Sequence, residues 1–109
     1  MCEYSYIYLL QEREFINAKQ QIYKIGKTTQ PNFRRFNSYP KGSKLILLLE
    51  CYDCHSIEKN IIDEFKLDFI NRKDIGKEYF EGDVEEMKKN ILNMIYIYNK
   101  QNCIKKEIE

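Results

Sequence analysis

The chain has 109 residues, a formal net charge of +1, 43% hydrophobic residues and 32% charged residues. This length favours a single domain, residues 1–109, with a hydrophobic core of its own. No apolar run approaches the roughly 20 residues that span a bilayer, and no basic stretch precedes an apolar one at the N-terminus, so we expect no membrane association and no secretion. A cytoplasmic or nuclear location in the host cell is expected instead.

The charge is distributed unevenly along the chain. Residues 15–49 contain seven basic residues and no acidic one, whereas the remainder contains 11 basic and 17 acidic residues. The seven basic residues are Lys19, Lys24, Lys27, Arg34, Arg35, Lys41 and Lys44. Such a segment is typical of a face that binds a polyanion such as DNA, although charges that cluster in a sequence do not always cluster in the fold.

The first half of the chain predicts two strands joined by a loop. Residues 4–10 are an apolar stretch that contains β-branched and aromatic residues. Tyr4, Tyr6 and Tyr8 fall on one face, and Ile7 and Leu9 on the other. Residues 11–20 are polar and predict a loop. Residues 21–25 predict a second strand, antiparallel to the first, which we expect Gly26 to end.

The middle of the chain predicts a short helix, a strand and a longer helix. Pro31 suits the start of a helix that ends near residue 37. The apolar run in residues 44–51 predicts a buried strand, central in the sheet. Asp53 or Ser56 is the expected cap of a helix that ends near residue 69.

The last part of the chain predicts a packed helix. Residues 71–76 form a polar break, and residues 78–80 predict a short strand or an ordered loop. Asp83 with Glu86 resembles a capping box, and apolar residues at helical spacing follow to about residue 99, before a polar tail. The whole predicts an α+β fold.

A carboxylate interrupts the apolar face of the helix after Cys54. At about 100° per residue, Ile57, Ile61, Ile62, Phe65 and Phe69 form one stripe, and Glu58 lies within it. A charge there is costly unless it is paired, bound to a metal or open to solvent. Glu58 therefore either escapes to solvent in the first helical turn, or points at the sheet toward an arginine or a metal.

The segment Cys51-Tyr52-Asp53-Cys54-His55 fits the spacing of a haem attachment site. No export signal accompanies it, and a zinc site would need four ligands. We expect no haem and free thiols, and the sequence leaves open whether these residues bind a metal.

Five short segments in order resemble the GIY-YIG endonuclease superfamily, in its compact branch from phages and large DNA viruses. They are residues 6–10 (YIYLL), residues 23–28 (YKIGKT), Arg35, Glu58 and residues 76–80 (GKEYF). The resemblance covers about residues 4–82.

The resemblance implies a small three-stranded antiparallel sheet flanked by helices, a divalent Mg²⁺ or Mn²⁺ ion, and hydrolysis of DNA phosphodiester bonds. It implies Glu58 as the metal ligand, Arg35 as the electrophile facing the phosphate, and Tyr8 as the residue that orients the attacking water. The expected catalytic residues are thus Tyr8, Lys24, Arg35 and Glu58, and the expected DNA contacts are Lys24, Lys27, Arg34, Arg35 and Lys41.

The chain departs from the superfamily pattern at several positions. Lys24 occupies the place of the usual second tyrosine, and Tyr23, one residue earlier, must point to the opposite face of a strand. Lys24 would then face the site as a phosphate contact or as a base of lowered pKa. Tyr39 lies where the superfamily often has a histidine. Tyr6 lies where the first motif of the superfamily begins with glycine.

Three functions remain open. The first is a divalent-metal-dependent DNA endonuclease. The second is a catalytically inactive nucleic-acid-binding module on the same fold, since phosphate contacts and base stacking need no metal. The third is a structural or host-interaction protein whose tyrosine-rich face binds another protein.

Overall fold

The computed structural model describes residues 5–29, 39–51 and 53–108. Its elements, in chain order, are β1 (Ser5–Gln11), α1 (Arg13–Asn17), β2 (Ile22–Thr28), β3 (Lys44–Cys51), α2 (Cys54–Asp68), β4 (Ile70–Asn71), β5 (Tyr79–Glu81) and α3 (Val84–Ile108). The α+β class is confirmed. None of the helices in these residues is long and apolar enough to cross a membrane.

The described strands form an open antiparallel sheet of five strands in the order β3-β1-β2-β5-β4. The predicted sheet of three strands was therefore too small, because β4 and β5 extend the sheet beyond β2. The prediction that β3 is central was wrong. β1 lies between β2 and β3, and the five apolar residues of β3 before Glu50 are only half-buried, as suits an edge strand.

The main core lies between one face of the sheet and the helices α2 and α3. Ile7, Leu9 and Ile25 project into it from the sheet and are fully buried. Ile57, Ile61 and Phe65 meet them from α2, and Met87, Ile91 and Ile95 from α3, as the helical spacing predicted.

α1 packs against the opposite face of the sheet through Phe15, and it lies where a loop was predicted. Phe15 of this five-residue helix is buried and contacts the ring of Tyr79, with ring centroids 6.3 Å apart. The helix forms because Phe15 packs against a residue that is distant in the sequence. The polar residues around Phe15 give no indication of that partner.

Gly26 does not end β2, as was predicted; the strand continues to Thr28. Tyr8 is the register partner of Gly26, and its ring covers the glycine so closely that a Cβ atom would overlap it. Glycine is present here to admit an aromatic ring rather than to turn the chain.

Both long helices begin near their predicted positions. The Asp53 carboxylate accepts hydrogen bonds from the backbone N–H groups of His55 and Ser56 at 3.2 and 3.3 Å, and so caps α2. α3 continues to Ile108, beyond the predicted end near residue 99. The helix predicted after Pro31 lies outside the described residues.

Candidate functional site

Glu58 lies on the core-facing side of α2, as the helical stepping indicated. It retains only 7% of its exposed surface, beside Ile57 and Ile61, which are at most 1% exposed. Burial raises the pKa of Glu58 above its ordinary value of 4.5, because the loss of hydration costs the charged carboxylate more than it costs the neutral acid. The alternative in which Glu58 escapes to solvent is therefore wrong.

The partner of Glu58 is Lys27 of β2. The Lys27 Nζ atom lies 3.4 Å from Glu58 Oε1, and its charge opposes the effect of burial on the Glu58 pKa. Glu78 acts in the other direction and raises that pKa further. The pKa of Glu58 is thus lowered by one nearby cation and raised by a second carboxylate.

Tyr8 lies on the other face of the sheet and is nearly inaccessible, with 1% of its surface exposed. Its hydroxyl group shares a hydrogen bond of 2.7 Å with the hydroxyl of Tyr39, and the two rings meet edge to face. Tyr39 is half-buried. The more accessible hydroxyl of this pair therefore belongs to Tyr39.

Lys24 lies on the same face as Tyr8, since it pairs with Leu10 two residues along β1. Its ammonium group is 5.0 Å from the centroid of the Tyr39 ring and 5.7 Å from that of Tyr79. It also lies 3.9 Å from Glu78 Oε2. These contacts hold the ammonium group over two aromatic faces and beside one carboxylate.

Tyr79 is fixed from the other side by Glu12, whose carboxylate accepts a hydrogen bond from the Tyr79 hydroxyl. Burial and this carboxylate raise the pKa of Tyr79, so its phenol stays protonated. Tyr79 therefore supports Lys24 as a neutral ring. Tyr23, by contrast, is 6% exposed and packs in the core on the α2 face, which confirms that it points away from Lys24.

The predicted residues thus form two groups on opposite faces of β2. Lys27 and Glu58 lie on the face of α2, whereas Tyr8 and Lys24 lie on the other face, with Tyr39. Glu78 connects the groups, because it pairs with Lys24 and shifts the pKa of Glu58. On β2, β5 pairs with residues 22–24, and the Ile25 N–H donates to the Glu78 carbonyl just before β5. In the described chain no strand pairs with this side of β2 from Gly26 onward.

The remaining predicted residues are placed less closely or not at all. Lys41 is exposed in the turn before β3. Arg34 lies outside the described residues, and so does Arg35, the predicted electrophile.

Cys51 and Cys54 are buried and carry free thiols, as expected. Burial raises the pKa of the Cys51 thiol to about 11, which disfavours the thiolate that metals require. Within residues 5–29, 39–51 and 53–108, no three His, Cys, Asp or Glu side chains are grouped so that they could hold a metal ion.

Sequence reasoning left three contributions unassigned: Lys27 as the partner of Glu58, Glu78 as the connecting carboxylate, and Tyr39 as the partner of Tyr8. Strand alternation could have found the first, since Lys27 shares its face with Ile25, next to the apolar stripe of α2. Glu78 belongs to the GKEYF segment and Tyr39 to a position of the resemblance, but the local sequence does not show their partners, because those partners lie far along the chain.

The sequence was also compared with known proteins. The model of the T5orf172 domain matches residues 4–103, which include every described strand and most of α3. The chain belongs to the T5orf172 domain family. The T5orf172 domain is phage-associated and related to nuclease-like folds. No curated protein and no solved structure matches the chain.

Proposed function

We propose that this T5orf172 domain is a divalent-metal-dependent DNA endonuclease of the GIY-YIG type, which hydrolyses phosphodiester bonds. The observation that carries the proposal is the Glu58 carboxylate, which is buried within an apolar helix face and paired with Lys27. Such a costly placement is typical of a functional carboxylate. The membership of a family related to nuclease-like folds supports the same function.

The chemistry of the donors fits a hard divalent cation. Mg²⁺ binds to one or two carboxylates and completes its shell with water and phosphate oxygens, so it does not need a cluster of three side chains. Glu58 would be its ligand here, and the neighbouring charge of Glu78 favours a cation at the same place. When bound, Mg²⁺ or Mn²⁺ would supply stabilisation of the negative charge on the phosphate and its leaving oxygen.

The remaining groups bind and orient the substrate. Lys24, held over the rings of Tyr39 and Tyr79, offers a positive charge to a phosphate on the Tyr8 face. The hydroxyl pair of Tyr8 and Tyr39 can orient a water by hydrogen bonding. Arg34 and Arg35 precede Tyr39, a residue of this site, by five and four positions in the sequence.

Lys27 and the exposed Lys41 would contact the DNA backbone on either side of the site. Together with Lys24, Arg34 and Arg35 they supply cations for phosphates, which give affinity without sequence specificity. We therefore expect cutting that depends weakly on sequence and strongly on salt.

Two observations favour a second candidate, a nucleic-acid-binding module without catalysis. Lys27 already neutralises much of the Glu58 charge, and Tyr39 covers the hydroxyl of Tyr8, which is 1% exposed. This candidate keeps the basic face and its salt-sensitive binding, and it predicts retarded but intact DNA in every divalent metal.

The nicking of supercoiled plasmid, followed with Mg²⁺, with Mn²⁺ and with EDTA, separates the two candidates. The wild type should nick only with metal, and Glu58→Gln and Lys24→Met should each slow nicking at least tenfold. Glu64→Gln and Lys59→Met are the matched controls, because both side chains are exposed on the same helix. Equal nicking by wild type and Glu58→Gln would remove Glu58 from the mechanism, and intact DNA with every protein would favour the binding module.

A further inference from the structure

A cavity of about 400 Å³ lies beside the tyrosine pair, between the end of β1 and the start of β3. Leu10 and Leu45, which are register partners, line it with apolar side chains, and Tyr39 lines it with an aromatic ring. Pro40 and the turn that follows complete its rim. The cavity therefore shares one residue, Tyr39, with the proposed catalytic site.

The turn at the rim is held in place by α1. Gly42 has a φ of 98°, a left-handed conformation that favours glycine, and the Arg13 side chain packs against it. The Arg13 backbone N–H donates to Ser43 Oγ at 3.0 Å, and Arg13 Nη1 donates to the Lys41 carbonyl at 3.3 Å. The Ser43 N–H donates to the Pro40 carbonyl at 3.0 Å. These contacts hold the turn that forms the rim of the cavity.

The lining of this cavity matches a nucleobase. An aromatic ring and apolar side chains suit the face of a base, and the backbone and hydroxyl groups of Gly42 and Ser43 suit its polar edge. Arg13, Lys41 and Lys44 are exposed around the same turn and can contact the adjoining phosphates. A base inside a duplex is stacked and paired, so it cannot enter a concave site of this kind.

We infer that this cavity binds an unpaired base of the strand that lies on the site. The inference rests on the proposed function, and it narrows the substrate class to DNA that carries single-stranded nucleotides next to the cut phosphate. Tyr39 then has three contacts: its hydroxyl meets Tyr8, the Lys24 ammonium group lies over its ring, and its ring meets the base. Arg13 and Lys44 join the DNA-contacting residues.

Binding measured in EDTA tests the inference without any cleavage. A blunt hairpin is compared with the same hairpin carrying a 5′ or a 3′ single-stranded extension, with 2-aminopurine at the first unpaired positions. We expect at least fivefold tighter binding of one extended hairpin and quenching of 2-aminopurine fluorescence on binding, since stacking on an aromatic ring is worth about 5- to 150-fold in affinity. Equal affinity for all three hairpins, or unchanged fluorescence, would overturn the inference.

Two variants at Tyr39 separate base binding from other roles of this residue. Tyr39→Phe keeps the ring and loses the hydroxyl contact to Tyr8, whereas Tyr39→Leu loses both. The phenylalanine variant should keep the preference for the extended hairpin. The leucine variant should lose that preference, measured as the ratio of its affinities for the extended and the blunt hairpins. If both variants bind alike, the ring does not stack on a base.

Quenching without plasmid nicking would contradict the proposed function alone, and nicking without quenching or preference would contradict this inference alone.

Discussion

Lys27→Met removes the cation that faces the buried Glu58 carboxylate while it keeps a long side chain. At 3.4 Å, the attraction between Lys27 Nζ and Glu58 Oε1 amounts to about 5 kcal/mol at an effective dielectric constant near 20 and about 1 kcal/mol in bulk water. Because the Lys27 side chain is 37% exposed, its charge is partly screened. We expect a loss of about 1–2 kcal/mol in the free energy of unfolding at pH 7.

This loss should depend on pH in a defined direction. Burial already raises the folded-state pKa of Glu58 above its ordinary value of 4.5, and removal of Lys27 raises it further. Below pH 4.5 the carboxyl is protonated in both the folded and the unfolded states, so wild type and Lys27→Met should be nearly equally stable. As the pH rises past 4.5, the unfolded chain ionises first, and the variant loses more stability until the pH exceeds its folded pKa.

Urea denaturation followed by circular dichroism between pH 4 and pH 8 measures this difference. In a Glu58→Gln background the same lysine substitution should cost almost nothing, since the amide carries no charge to neutralise. Lys59→Met, on the exposed side of α2, serves as the control and should change little at any pH. A loss that is the same at pH 4 and pH 8, or the same in the Glu58→Gln background, would refute the ion pair as its cause.

Three further predictions concern stability and reactivity. Gly26→Ala places a Cβ atom against the Tyr8 ring and should lower the free energy of unfolding by about 1–3 kcal/mol, whereas a loss below 0.5 kcal/mol would show that the ring moves freely. Asp53→Ala removes the cap of α2 and should cost about 1 kcal/mol at pH 7 in the same denaturation assay; an unchanged midpoint would contradict it. Cys51 is buried and has a pKa of about 11, so it should react with an aromatic disulfide at pH 8 at least tenfold more slowly in the folded protein than in urea. Peptide mapping identifies the labelled cysteine, and rapid labelling of Cys51 in the folded protein would contradict this prediction.

The sequence predicted those features that depend on local periodicity. Glu58 stood out because helical spacing places it among isoleucines. The sequence left open whether it reaches solvent or points at the sheet, and in the structure it is buried. The cap at Asp53 and the buried face of α3 were equally local. These predictions needed no knowledge of the sheet.

The features that failed depend on contacts between distant segments. The edge position of β3 follows from which strands pair, and an apolar run reads alike at the centre and at the edge of a sheet. Gly26 looked like a break because the Tyr8 ring that covers it belongs to another strand. α1 exists because Phe15 meets Tyr79, which a polar local sequence conceals.

The site was predictable in its members more than in its arrangement. Tyr8, Lys24 and Glu58 were named from short motifs, but strand alternation divides them between two faces of β2, joined through Glu78. Motifs give the order of residues along the chain, whereas the pairing of Lys27 with Glu58 arises only when β2 packs on α2. The chemistry proposed for the site must therefore operate at the open edge of β2.

The most direct test of a metal-dependent site centred on Glu58 is the anomalous density of Mn²⁺ in crystals soaked with that ion. We expect a peak bound to a Glu58 oxygen, a Lys27 ammonium group displaced from its position 3.4 Å from the carboxylate, and no peak in Glu58→Gln crystals. An Mn²⁺ peak elsewhere in the protein, or an unchanged ion pair between Lys27 and Glu58 at saturating Mn²⁺, would contradict the proposed site.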